Sequence, residues 1–135
     1  MEYKVNKQER YSIFCPLEKN LNAVLAPDLK SEFVIFFNEG VTNFIFDLSN
    51  VEYIDSSGLS AILTGQRLWG EKGAFVLTGV VHPSVKRLME ISHLHTVLPI
   101  VPTVDEAIEY AFMEELQREI MKEGEDDTLD DDEEV

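Results

Sequence analysis

A chain of 135 residues with 44% hydrophobic residues is the size of one domain and apolar enough to pack a core. Its net charge of −15 argues against nucleic acid as a direct partner, because an acidic surface repels phosphate backbones. The charge is uneven: of the 26 acids, nine fall in residues 123–135, where no base occurs, and the remaining 17 face 11 bases, a net of −6. That acidic segment is too charged and too poor in apolar residues to fold alone, so residues 122–135 are expected to form a disordered acidic tail behind a domain over residues 1–121. No apolar run approaches the ~20 residues of a membrane span, so no membrane insertion is expected. Met1-Glu2-Tyr3-Lys4 lacks the basic-then-apolar pattern of a signal peptide. A cytoplasmic protein is expected, and a single cysteine, Cys15, agrees with a reducing compartment.

Tyr3-Lys4-Val5 reads as a short edge strand, and Tyr11 to Cys15 as a second strand ended by Pro16. Too few residues separate them for a crossover helix, so they are expected to pair antiparallel. Pro27 opens a helical pattern, where its fixed φ is tolerated. Leu29, Phe33, Phe36 and Phe37 recur at helical spacing, and Gly40 fits a C-cap. Phe44 to Leu48 is apolar nearly throughout, as a strand covered on both faces requires. A helix from about Ser57 to Trp69 carries Leu59, Ile62, Leu63 and Trp69 on one stripe and stops at Gly70 and Gly73. Ala74 to Thr78 is the next strand. His82-Pro83-Ser84 opens a short helix with Val85, Leu88, Met89 and Leu94 inward. Val97 to Ile100 reads as a last strand, placed near an edge by Pro99. Thr103 and Glu106 fit a capping box, and Val104, Ala107, Ile108, Ala111, Phe112, Leu116 and Ile120 follow at helical spacing. Strands alternating with helices predict an α/β fold with a largely parallel sheet.

In this fold class functional groups collect at the carboxyl ends of strands. Asp55-Ser56-Ser57-Gly58-Leu59 sits in such a loop, between the strand at Phe44–Leu48 and the helix that follows. Asp55 or Ser56 can cap that helix, a contribution of about 1 kcal/mol. A serine hydroxyl there can equally accept a phosphate, whose charge a helix N-terminus tolerates. No basic residue stands nearby in sequence to clamp the phosphate, which favours release of a partner by repulsion over ordering of a loop.

The run Val51-Glu52-Tyr53-Ile54-Asp55-Ser56-Ser57-Gly58-Leu59-Ser60-Ala61-Ile62-Leu63 resembles the STAS family, and within it the bacterial anti-sigma factor antagonists. Pro83-Ser84-Val85-Lys86-Arg87-Leu88-Met89-Glu90-Ile91-Ser92 is similar to the family's third helix, and the likeness runs in order and spacing from about residue 3 to 118. It implies a single STAS-like domain with a four- to five-stranded mixed sheet and about four helices. It also implies a phosphorylated serine at Ser56 and a partner that is a serine kinase/anti-sigma factor, bound when Ser56 is unphosphorylated and released when it is phosphorylated. Asp55, Ser57, Gly58, Leu59 and Asn22 would complete the partner-binding loop. ATP and Mg²⁺ would belong to the partner, so the chain would be a substrate with no cofactor of its own and not an enzyme. The sequence departs from the family pattern at Lys19, where glycine is usual, at Asn22, where aspartate is usual, and at Ser60, where glycine is frequent. Those departures lend weight to an alternative: a non-phosphorylated STAS accessory subunit docking on a transporter ATPase.

His82, His93 and His95 lack a Cys or acid to complete a recognisable ligand set and read as loop histidines. Cys15 reads as a buried, inert thiol. Trp69 reads as core, with Leu68 partly exposed, and Lys86 and Arg87 as a solvated helix face. No Gly-x-x-x-x-Gly-Lys-Ser/Thr loop is present, which disfavours ATP hydrolysis.

Overall fold

A computed structural model describes the backbone of residues 1–134 and the side chains of residues 1–123. In chain order it contains β1 (Tyr3–Lys7), β2 (Ser12–Pro16), β3 (Asn20–Leu21), α1 (Ala26–Asn38), β4 (Asn43–Asp47) and β5 (Tyr53–Ile54). Then come α2 (Ser56–Trp69), β6 (Ala74–Thr78), α3 (Pro83–Ile91), a 3₁₀ turn (Leu94–Thr96) and α4 (Val104–Glu134). The main sheet has the order β1-β2-β4-β6. The β1–β2 pair is antiparallel, as the short connection requires, and β2–β4 and β4–β6 are parallel. The result is an α/β fold on a four-stranded mixed sheet with four helices.

Three boundaries differ from the sequence reading. Val97 to Ile100 is not a strand: it touches β6 through one bridge, with Leu77 N–H donating to Pro99 O and Val101 N–H to Leu77 O, each at 3.0 Å. Pro99 has no N–H to extend that ladder. The second helix begins at Ser56, one residue early, because Asp55 takes the cap. A separate two-residue parallel pair, β3 with β5, joins Asn20-Leu21 to Tyr53-Ile54. Elements so short show no alternation in sequence. The acidic tail expected over 122–135 lies, past Glu123, outside the residues whose side chains are described.

The alternation of β4 divides the core. Phe44 and Phe46 point to one face of the sheet and Ile45 to the other, all fully buried. On the first face α1 and α2 close over an aromatic cluster. Phe44 and Phe75 stack with ring centroids 5.6 Å apart, and Phe33 meets Phe44, Phe46 and Phe75 edge-on, each at 5.4 Å. Trp69 is buried beside them and satisfies its indole N–H on Val41 O at 2.9 Å. The buried stripe of α2 is made of Gly58, Ala61, Ile62, Gly65 and Trp69, whereas Leu59 and Leu63 are half-buried at its margin. Small residues hold the centre because a Cβ on Gly65 would lie 2.6 Å from the Phe75 ring. On the second face Ala107 and Ala111 of α4 cover Ile45, Ala74 and Val76. Glu106 N–H donates to Thr103 Oγ1 at 3.2 Å, which places the start of α4 where the capping motif predicts.

Phe44 pairs with Phe14, Phe33, Phe36, Phe46, Trp69 and Phe75, so Phe44→Ala is expected to destabilise the domain by about 3–5 kcal/mol. Urea unfolding followed by Trp69 fluorescence measures this directly; a loss below about 1 kcal/mol would contradict the packing described.

Candidate functional site

The loop at residues 55–59 is fixed from two sides. Tyr53-Ile54 pairs with Asn20-Leu21, and Asp55 N–H donates to Leu21 O at 3.1 Å. The same carbonyl faces the start of α2, where a Cβ on Gly58 would stand 2.3 Å from Leu21 O. Only glycine allows that approach. Gly58 is therefore buried and structural, and Leu59 is half-buried against the core and only partly available to a partner.

Asp55 is the N-cap of α2. Its backbone is extended, with φ −94° and ψ −175°, and its Oδ1 accepts from Gly58 N–H at 2.9 Å. Capping thus falls to Asp55, and Ser56 occupies the first helical position, exposed. Ser57 is half-buried and Ser60 exposed one turn on. No acidic residue lies in the first turn of this 14-residue helix, so the carboxylate that meets its positive end is that of the Asp55 cap.

The segments on either side of β3 lie beside this turn and carry two of the unusual residues, Lys19 before the strand and Asn22 after it. Asn22 Oδ1 accepts from Val24 N–H at 3.0 Å and Leu25 N–H at 3.2 Å, and Asn22 O accepts from Ala26 N–H at 2.8 Å. Its side chain is committed to the turn that launches α1, an acceptor role that an amide fills as well as a carboxylate. Lys19 O accepts from Glu52 N–H at 2.8 Å and Tyr53 N–H at 3.1 Å. Among the described non-glycine residues, His93 alone has a positive φ, so the backbone at Lys19 does not require glycine.

A family model described as STAS domain matches residues 4–107. The chain belongs to the STAS domain family. It is 38% identical over 56 residues to an anti-sigma F factor antagonist of Paenibacillus polymyxa, a stretch covering 42% of this chain and 48% of that protein. The match therefore spans about half the length of that relative. A crystal structure of a putative anti-sigma factor antagonist from Thermotoga maritima superposes with a TM-score of 0.74 at 28% identity, covering 81% of this chain and 93% of the other. The phosphorylated form of SpoIIAA, a Bacillus cell fate determinant, has the same fold, with a TM-score of 0.60, 18% identity and coverage of 81% and 98%.

Within the STAS domain, helix packing adds a residue that spacing did not reveal. Lys30 of α1 lines a shallow cleft of about 380 Å³ together with Ser56, Ser57 and Ser60 of α2 and with Ala26 and Pro27. Lys30 is the one base on that wall. It lies 26 positions before Ser56, on a different helix, and only the α1–α2 contact brings them together. Large apolar side chains are exposed at the same edge of the domain: Val24, 80% exposed, and Tyr53, 60% exposed, flank the loop. Asn22 and Lys19 line a neighbouring cleft with Leu17, not the one shared by the serines.

The other sequence candidates do not join this site. Among the described residues no group of three or more His, Cys, Asp or Glu could hold a metal ion. His82 Nε2 lies 3.1 Å from Ser49 O and ties the start of α3 to the β4–β5 loop. Cys15 is half-buried and not fully enclosed as expected. Burial, and then the Asp47 charge, push its thiol pKa up, so it is protonated and poorly nucleophilic at neutral pH. Among the described residues no helix is long and apolar enough to cross a membrane.

Gly58→Ala is expected to cost about 1–3 kcal/mol, because Leu21 O cannot withdraw without breaking the β3–β5 pair. Asp55→Ala should cost about 1 kcal/mol through loss of the cap, and Ser57→Ala under about 0.5 kcal/mol. Urea midpoints of the three variants check that order, and equal tolerance of Gly58→Ala and Ser57→Ala would contradict the close approach.

Proposed function

We propose that this STAS domain is a phosphorylation-controlled binding switch of the anti-sigma factor antagonist kind. With Ser56 unmodified it binds a serine kinase/anti-sigma factor, and with Ser56 phosphorylated it releases that partner. The observation that carries this reading is the division of roles at the start of α2: Asp55 supplies the cap, so Ser56 is left exposed and free to react. The names of the relatives support the partner class, and the phosphorylated form of SpoIIAA supports modification on this fold.

The chemistry asked of this chain is small. Ser56 Oγ attacks the γ-phosphorus of ATP held by the partner, the bond to the β-phosphate oxygen breaks, and the hydroxyl proton passes to a base of the kinase. ATP and Mg²⁺ are the partner's. The product carries about −1.5 to −2 charges and three acceptor oxygens at an exposed helix start. The helix dipole and Lys30 make that charge tolerable to the free domain. A partner seated on Val24, Tyr53 and the Asp55 loop would have to accommodate the same charge in a dehydrated contact, where it is far more costly. The fold survives, and the docked complex does not. The proposed setting is the cytoplasm.

Ser56→Ala is expected to bind the cognate kinase without regulation, and Ser56→Asp at least about tenfold more weakly, roughly 1.4 kcal/mol. Intact-mass measurement of protein from its own host should find one phosphoryl group on the peptide that holds Ser56. Equal binding by both variants would overturn the switch. Recovery with a transporter ATPase and unmodified Ser56 would instead favour a structural accessory subunit.

A further inference from the structure

The domain uses only the first part of α4. Ala107 and Ala111 are buried on the sheet, Phe112 meets Tyr11 edge-on at 5.9 Å, and Arg10 caps the contact by lying 4.2 Å over the Phe112 ring and pairing with Glu115. Beyond that point the helix continues with large apolar residues facing solvent: Met113, Leu116, Ile120 and Met121 are 65%, 49%, 58% and 62% exposed. Met113, Leu116 and Ile120 follow at three- and four-residue spacing and so share one helix face. With Tyr110 and Gln117 they line a shallow groove of about 260 Å³. Single exposed apolar residues are ordinary, but Met113, Leu116 and Ile120 on one helix face, with Met121 exposed next to Ile120, form an apolar stripe that water disfavours.

The charge around the stripe selects its occupant. Glu109, Glu114, Glu119 and Glu123 flank it against Arg118 and Lys122, and the sequence then adds eight acids and no base over residues 124–135. A second copy of the chain would lay an equally acidic segment alongside, which like-charge repulsion opposes. A partner with an apolar helical face bordered by lysine and arginine satisfies both features. The two methionines suit such a contact, because their unbranched side chains adapt to irregular surfaces. We infer that the distal part of α4 is a docking surface for a basic amphipathic helix of a partner protein, with the acidic segment steering its approach. The stripe lies on the α4 face of the sheet, away from the face that α1 and α2 cover. A partner held there leaves the Asp55 loop accessible, so this inference stands whether or not Ser56 is a switch.

The test uses the full chain and two labelled synthetic peptides of equal positive charge, one helical with a leucine face among lysines and one with serine in place of the leucines. Fluorescence anisotropy should show binding of the leucine–lysine peptide that weakens as salt rises. Leu116→Glu and Met113→Glu should each weaken it about tenfold or more, with the circular dichroism spectrum of the domain unchanged. Replacing the eight acids of residues 124–135 by Asn and Gln should weaken binding and flatten its salt dependence. Equal binding of the serine–lysine peptide, or no effect of Leu116→Glu, would overturn the inference by reducing the contact to charge alone. A dimer of the unmodified chain that Leu116→Glu dissociates would also overturn it, since the stripe's occupant would then be a second copy.

Discussion

The close approach of α2 to β3 is the constraint on which the loop depends. Leu21 O receives Asp55 N–H and at the same time lies where a side chain on residue 58 would begin. That single carbonyl sets the height of the helix start above the β3–β5 pair. With the height fixed, Asp55 Oδ1 can reach Gly58 N–H, and the first turn is closed without help from either serine. The aromatic cluster secures the other end: Trp69, last residue of α2, is buried and hydrogen-bonded to Val41. Helix α2 is thus pinned at both ends, and the exposed hydroxyl of Ser56 sits on a rigid element with a defined direction.

This arrangement separates what folds the domain from what is free to change. Gly58, Ala61, Ile62, Gly65 and Trp69 carry the packing of α2 and are buried. Ser56 and Ser60 lie on its opposite side and are exposed. A modification at Ser56 therefore alters surface charge without opening a cavity or leaving a buried polar group unpaired, the two usual routes to large destabilisation. The same separation explains why Asn22 and Lys19 are compatible with the fold. One is held by its amide oxygen in an Asx turn, the other by its backbone carbonyl, and neither role demands a carboxylate or a glycine.

Much of the fold was legible in the sequence because its elements are long enough to show a period. Phe44 to Leu48 and Ala74 to Thr78 read as strands buried on both faces, and the antiparallel β1–β2 pair followed from connection length. The stripe on α2 was displaced, since Leu59 and Leu63 outweigh Gly58, Ala61 and Gly65 in hydrophobicity although the glycines and alanine are what fit beneath the helix. Close packing selects for small volume, and a hydrophobic pattern is blind to that. The order Asp55-Ser56-Ser57-Gly58 marked the loop, but it left two capping candidates, and only the backbone geometry assigned the cap to Asp55. Lys30 was invisible for a topological reason: it reaches the serines across a helix–helix contact, with 26 positions of chain between them.

Lys30 also changes the balance of the proposed switch. With no base nearby, a phosphate on Ser56 would act by repulsion alone, opposing Asp55 within the free domain as well as any acidic partner. A lysine on the shared cleft wall offsets part of the first repulsion and none of the second. Lys30 is half-buried and lines the same cleft as Ser56, Ser57 and Ser60. A charge that the free domain accommodates and the complex does not is the condition for a modification to shift binding without shifting folding. The α1–α2 contact, part of the packing that builds the core, is what brings Lys30 to the wall shared with Ser56.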